Sequence, residues 1–291
     1  MQVHRGVNIV REGRPSQTAL GAATMRAAHQ LLDDPIVFSD PIALRILGEK
    51  TETELRADPY GTNSLFLRPR RALFAIRARL AEEELALGVE SGVRQYVVLG
   101  AGLDTLAYRN PHRAVGLKVF EVDHPSTQEW KRQLLRAANI ALPDNLVFVA
   151  LDFERKTLRD GLTEAGFSFD QPACVSWLGV INYLTEAAAR ECLSLIASLP
   201  KHSSVTFDFV VPPETIPDPV LRALEARVKA SAANMGEPLL CEFEPQRLDE
   251  LLRQVGFNDV HVYGPDDLNR RYMHRRKDGL QTTGYMACAR V

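Results

Sequence analysis

From Val93 onward the chain repeats one pattern, a short apolar run followed by a helical stretch. The runs lie at residues 95–99, 117–122, 146–151, 173–178 and 205–211. Each is dominated by apolar, often β-branched residues and suits a strand buried on both faces of a sheet. Residues 126–141 and 185–199 give the clearest helices between them. Thr185, with Glu186 and Glu191, gives the second of these a capped, acidic start. Such alternation specifies a parallel sheet with helices on both faces. Two last runs, 258–263 and 283–291, are joined by a long polar connection without a clear helix and read as an antiparallel hairpin. The expectation is an α/β fold of seven strands, mostly parallel, with the last antiparallel.

Residues 1–90 read differently, as mostly helical. Ser16 suits the N-cap of a helix over 18–32, ended by Asp33, Asp34 and Pro35. A shorter helix is expected over 41–47, then a polar loop, then a long helix over 64–87 that starts or breaks near Pro69 and stops at Gly88. After the fifth run, Pro212, Pro213, Pro217 and Pro219 break the chain. Helices follow over 219–233 and 245–255, the latter ended by Gly256. The chain therefore divides into an N-terminal helical region, 1–90, and a core, 91–291, with an insertion at about 212–240.

With 291 residues, 45% hydrophobic and 25% charged, the chain is an ordinary globular protein. A net charge of −2 removes the bulk electrostatic argument for a nucleic-acid partner. Four widely spaced cysteines and no HExxH pattern argue against a disulfide framework and a sequence-local zinc site. Arg5, Arg11 and Arg14 have no apolar stretch behind them, and no membrane-spanning run follows, so a cytoplasmic protein is expected.

The strongest local signal is Gly100-Ala101-Gly102-Leu103-Asp104, where the first strand should end. Glycines there let the backbone turn tightly and approach a ligand at the switch point of an open sheet. The same pair also fits a plain strand-to-helix turn. The second run ends in Glu121-Val122-Asp123, and Asp123 suits accepting hydrogen bonds from ribose hydroxyls or stands as a surface carboxylate. A nicotinamide fingerprint wants a further glycine where Thr105 stands. A nucleoside ligand without a pyrophosphate fits better, and S-adenosylmethionine is such a ligand. Asp152 and Phe153 close the third run, where an acid can bond an adenine amine beside an aromatic ring, or Asp152 can cap the next turn. The fourth run leads through Trp177 to Asn182 and Tyr183, which suit hydrogen bonds to a ligand, although both aromatics also suit a core.

These segments, with Thr105, Tyr108-Arg109, His124-Pro125 and Lys131, resemble the leucine carboxyl methyltransferase family. The closer likeness is to its bacterial branch of class I S-adenosylmethionine-dependent methyltransferases, linked to O-methylation in polyketide biosynthesis. Thr18-Ala19, Arg26-Ala27-Ala28-His29, Asp40-Pro41, Arg77-Ala78-Arg79, Gly92-Val93-Arg94-Gln95 and Arg270-Arg271-Tyr272 extend the likeness from about residue 16 to the C-terminus. The resemblance implies a Rossmann-like class I methyltransferase fold with the N-terminal helical region as a lid. It implies that Arg77 pairs with the methionine carboxylate of the cofactor and that Gly100 and Gly102 cradle its methionine and ribose. Asp123 would hold the ribose hydroxyls, and Asp152 with Phe153 the adenine. Ala101, Asp104, His124 and Leu178 complete the implied cofactor-binding set. At the position of Leu178 the protein-carboxyl methyltransferases carry a glutamate, which argues against a protein C-terminal leucine as the substrate.

Methyl transfer from a sulfonium is an in-line displacement that needs close placement and dry surroundings. A carboxylate acceptor is already ionised at neutral pH, whereas a hydroxyl benefits from a base. Tyr183 and His29 are the catalytic candidates, with His124 and Asp208 beside them; each also reads as a structural residue. Catalysis is therefore expected to rest on proximity and orientation. The leading expectation is O-methylation of a hydroxyl or carboxylate of a small molecule, with neither nucleic acid nor membrane as partner. A non-catalytic adenosyl-ligand sensor and a nicotinamide-dependent oxidoreductase are the competing readings.

Overall fold

The computed structural model describes residues 17–152, 155–234 and 236–291. Ser16, Phe153 and the arginines at 5, 11 and 14 lie outside them. The N-terminal region comprises α1 (Gln17–Leu32), α2 (Glu49–Ala57) and α3 (Arg68–Glu90). Then come β1 (Gln95–Leu99), α4 (Leu106–Arg109), β2 (Lys118–Asp123), α5 (Pro125–Ala137), β3 (Leu146–Ala150), α6 (Leu158–Glu164) and β4 (Ala173–Trp177). The chain continues through α7 (Glu186–Ala197), β5 (Ser204–Phe209), α8 (Pro219–Asn234), α9 (Pro245–Val255), β6 (Asp259–Tyr263), α10 (Pro265–Tyr272) and β7 (Tyr285–Arg290).

All seven expected strands form one sheet in the order β3-β2-β1-β4-β5-β7-β6. The first five are parallel, and β7 runs antiparallel to both β5 and β6. Every residue of β1, β4 and β5 is buried, as strands covered on both faces must be. The β7–β6 pair is antiparallel as expected, but α10 fills the connection that the sequence reads as helix-free. From β1 the chain goes outward through β2 to β3, then returns to the other side of β1 for β4. That reversal opens a crevice at the carboxyl ends of β1 and β4.

Other differences from the sequence reading have simple causes. α2 stands inside the expected polar loop; it buries only Leu55 and so shows no apolar stripe. α10 buries only Leu268, and its visible signals are Pro265, two aspartates in its first turn and two arginines in its last. The helix expected over 41–47 is reduced to a short 3-10 segment, Arg45–Leu47, halted by Gly48 at φ +83°. Gly88 does not stop α3, which runs on to Glu90. A side chain at Gly88 would put its Cβ 2.3 Å from Cys174 Sγ on β4, so glycine lets this helix lie against the sheet.

Candidate active site

The glycine turn leaves β1 with Gly100 at φ +65° and Gly102 at φ +45°, left-handed conformations that favour glycine. Space demands the same. A Cβ at Gly100 would lie 2.3 Å from Val180 Cγ2, and one at Gly102 would lie 3.1 Å from Ala19 Cβ of α1. The Gly102 N–H donates to Asp123 Oδ2 at 2.6 Å, and the His124 N–H donates to Asp123 Oδ1 at 2.7 Å. Burial pushes the Asp123 carboxyl up, while these two amides hold it down; the net direction is upward. Each carboxylate oxygen keeps a further lone pair for a ligand hydroxyl. His124 caps α5 with its Nδ1, which also lies 2.8 Å from Ser126 Oγ. Asp104 Oδ1 accepts the Leu106 N–H at 2.8 Å and starts α4.

On the opposite wall, Asp208 of β5 joins two segments. Its Oδ1 accepts the Gly179 N–H at 2.6 Å, and its Oδ2 accepts Arg77 Nη1–H at 3.0 Å. The Arg77 guanidinium packs 4.0 Å from the Phe74 ring centroid. Burial lowers the Arg77 pKa, and Asp208 opposes that shift. Asp208 is thus a clamp and not a solvent-facing strand residue. Asn182 is another clamp: its Oδ1 accepts the Val210 N–H at 3.0 Å, and its carbonyl accepts N–H groups of Leu240 and Cys241. The Tyr183 phenol shares a side-chain hydrogen bond with Thr18 of α1, and burial raises its pKa.

A cavity of about 500 Å³ connects these groups, within the ~300–1,000 Å³ usual for small-molecule sites. Gly100, Ala101, Gly102, Asp104, Asp123 and His124 line it from one side. Arg77, Asp152, Leu178 and Tyr183 line it too, so the structure brings together every described residue of the sequence-derived set except one. The exception is His29. It is fully buried, its Nδ1 lies 2.6 Å from Asp33 Oδ2, and its Nε2 accepts the N–H groups of Val37 and Phe38. Both ring nitrogens are committed to holding the turn after α1, so His29 is a structural residue away from the cavity.

Sequence reasoning missed how the N-terminal region docks. Arg26 of α1 donates to Asp40 Oδ2 at 2.9 Å and to the Leu103 carbonyl at 2.7 Å. Thr105 Oγ1–H donates to the same Asp40 oxygen at 2.7 Å and accepts Arg109 Nε–H at 3.1 Å. Thr105 thus occupies the third-glycine position because the hydroxyl ties α1 and its following turn to the glycine turn. The signal was present, since Arg26, Asp40, Thr105 and Arg109 all belong to the quoted segments, but it lay in separate pieces. Also missed were Arg70, Glu225 and Thr283, which line the far end of the cavity.

A model of the leucine carboxyl methyltransferase family matches residues 19–197. An S-adenosyl-L-methionine-dependent methyltransferase of Bacillus subtilis strain 168, YktD, is 32% identical over 292 residues, covering 93% of this chain and 95% of its own. A methyltransferase of the same description from Mycolicibacterium paratuberculosis is 32% identical over 288 residues, covering 91% and 90%. Among solved structures, a Thermobifida fusca methyltransferase superposes with a TM-score of 0.56 at 15% identity, covering 95% of this chain and 98% of its own. A Streptomyces avermitilis protein does so at 0.51 and 18%, covering 92% and 96%. These two likenesses concern the fold. The chain is a class I methyltransferase by fold, with S-adenosylmethionine as its cofactor. It belongs to the leucine carboxyl methyltransferase family. That membership, with Thr105 committed to Asp40, removes the nicotinamide reading. Among the described residues no group of three or more His, Cys, Asp or Glu side chains could hold a metal ion, and no helix is long and apolar enough to cross a membrane.

Proposed function

We propose that this chain transfers the methyl group to an oxygen, hydroxyl or carboxylate, of a small and largely apolar acceptor. One observation carries the reading. A single cavity runs from the glycine turn and Asp123 to a chamber walled by apolar residues of α1, α3 and α8. The left-handed glycine turn on the cavity wall and the half-buried Asp123 carboxylate fit a nucleoside, since the carboxylate has lone pairs to spare. In this reading Asp123 holds the ribose, Asp152 faces the adenine, and the remaining N–H groups of Arg77 hold the α-carboxylate. When bound, S-adenosylmethionine supplies an electrophilic methyl carbon for an in-line oxygen nucleophile.

The protein's own part is placement and exclusion of water. Asp208 is bound to Arg77 and Gly179, and Tyr183 is held neutral by burial, so Tyr183 donates a hydrogen bond and does not take a proton. His29 is out of reach. With Asp208, Tyr183 and His29 committed, the reading favours an acceptor that is already anionic. Leu178, packed with the apolar cluster on α3, gives this wall no charge. α1 and the turn to Asp40 act as the lid, and the segment at 212–240, including α8, covers the acceptor end.

The test supplies methyl-labelled S-adenosylmethionine with a panel of aromatic and aliphatic carboxylic acids, phenols, amines and a leucine-terminated peptide. Label should pass to oxygen in small acceptors. Alkali releases it from an ester and leaves an ether intact. Label passing only to nitrogen or to the peptide would overturn the proposal.

A further inference from the structure

The first turn of α3 carries Arg68, Arg70 and Arg71, at a helix end whose free N–H groups disfavour cations. Two of these arginines are anchored inside the protein. Arg71 grips both oxygens of Asp33, at 2.9 and 3.0 Å, and donates to the Thr62 carbonyl. Arg68 donates to the Asp278 carbonyl at 2.9 Å. Arg70 forms neither a hydrogen bond nor an ion pair among the described residues; its guanidinium lies 6.0 Å from the Phe74 ring centroid.

Among the described residues three arginines line the cavity, and Arg70 alone of them forms no hydrogen bond or ion pair. Arg26 is held by Asp40 and the Leu103 carbonyl, and Arg77 by Asp208. On α3 the cavity-lining positions Arg70, Leu73, Phe74 and Arg77 follow helical spacing, so they share one face. The seven-residue step puts Arg70 about 10 Å along the axis from Arg77. Both guanidiniums flank the Phe74 ring, Arg70 at 6.0 Å and Arg77 at 4.0 Å from its centroid. Arg77 packs against Gly179 next to the glycine turn, whereas Arg70 is felt by Glu225 of α8 and by Tyr183. There Thr283 Oγ1–H donates to Glu225 Oε1 at 3.3 Å, and the rest of the wall includes Phe66, Val228 and Leu239. Burial pushes the Glu225 carboxyl up, against the pull of Arg70.

We infer that Arg70 is the acceptor-anchoring residue and that the acceptor presents an anionic oxygen, carboxylate or phenolate, on an apolar frame. Glu225 is a countercharge near Arg70 but is not hydrogen-bonded to it, so the Arg70 N–H groups can serve a bound anion. The guanidinium fork also matches a carboxylate in two-point geometry. The inference rests on the methyltransferase reading of the cavity.

Calorimetric titration in saturating S-adenosylhomocysteine tests it with two matched pairs, biphenyl-4-carboxylate against biphenyl-4-carboxamide and 2,4-dinitrophenolate against 2,4-dinitroanisole. The wild type should bind at least one anion about tenfold or more tighter than its neutral partner. Arg70→Gln should abolish that preference, Arg70→Lys should recover part of it, and S-adenosylhomocysteine affinity should stay unchanged in both. Whichever pair shows the preference identifies the anion. Equal binding of anion and neutral partner in both pairs, a preference that survives Arg70→Gln, or a collapse of S-adenosylhomocysteine binding in Arg70→Gln overturns the inference. Failure of the wild type to bind S-adenosylhomocysteine removes instead the methyltransferase reading beneath it.

Discussion

Replacing Thr105 tests whether its hydroxyl is what ties the N-terminal region to the glycine turn. Thr105 is 1% exposed, and its Oγ1 stands between Asp40, at 2.7 Å, and Arg109, at 3.1 Å. Valine has the same shape, so Thr105→Val removes the hydroxyl without opening a cavity. Hydrogen bonds to charged groups contribute about 1.5–3 kcal/mol each. Asp40 keeps Arg26 and the Ile42 N–H, which limits the damage. The expected loss is about 2 kcal/mol, or a fall in Tm of about 4 °C for a chain of this size. Because Ala19 lies over Gly102, loosening this region also loosens one wall of the cavity. Binding must then restore that order, so S-adenosylhomocysteine affinity should fall by about fivefold. Scanning calorimetry with and without the ligand reads both effects, and Thr105→Ser, which keeps the hydroxyl, should behave as wild type. A Thr105→Val protein melting within about 1 °C of wild type would refute the reasoning, as would a Thr105→Ser protein equally destabilised. Thr105→Gly completes a Gly-x-Gly-x-x-Gly sequence, yet NADH should give it no thermal shift.

Other perturbations probe other parts. Gly100→Ala should cost about 1–3 kcal/mol from the clash with Val180, beyond the backbone cost alone. Gly92→Ala, at φ +95° with open space around it, isolates that backbone cost, and equal losses at the two sites would refute the packing argument. Despite burial, hydrogen bonds with His29 and Arg71 and their charges hold the Asp33 carboxyl down to about 2, from an ordinary 3.8. Its contribution, about 2 kcal/mol, is therefore present above pH 4 and lost as pH falls towards 2. Acid unfolding of Asp33→Asn should show a shallower slope in that window; a slope equal to wild type counts against the cluster. Burial raises Glu121 to about 7 even though Lys131 Nζ lies 2.7 Å away. That shift adds stability below pH 4.5 which disappears as pH rises through 7. Lys131→Met should cost about 3 kcal/mol by leaving Glu121 unpaired, and adding Glu121→Gln should restore most of it. A double variant no better than the single one would show that the loss comes from packing.

What the sequence reveals depends on how locally each feature is encoded. The strands are legible because their burial on both faces leaves continuous apolar runs. α2 and α10 are not, because each rests on a single buried leucine and otherwise on end charges. The cavity-lining set from Gly100 to Tyr183 is legible because each member sits at or just beyond a strand's carboxyl end, where the topology makes a crevice. His29 and Tyr183 look equivalent as lone polar residues, and only their partners separate them. The lone pair of His29 Nε2 is taken by two backbone N–H groups, whereas the Tyr183 phenol lies on the cavity wall. The acceptor end was hardest to see, because Arg70, Glu225 and Thr283 come from three remote segments that meet only in the folded chain. Even so, the sequence holds an anomaly there. Three arginines crowd the positive end of one helix, which disfavours cations there. Among the described residues the fold supplies hydrogen-bond partners for Arg68 and Arg71 and none for Arg70, the position at which the inferred anion binds.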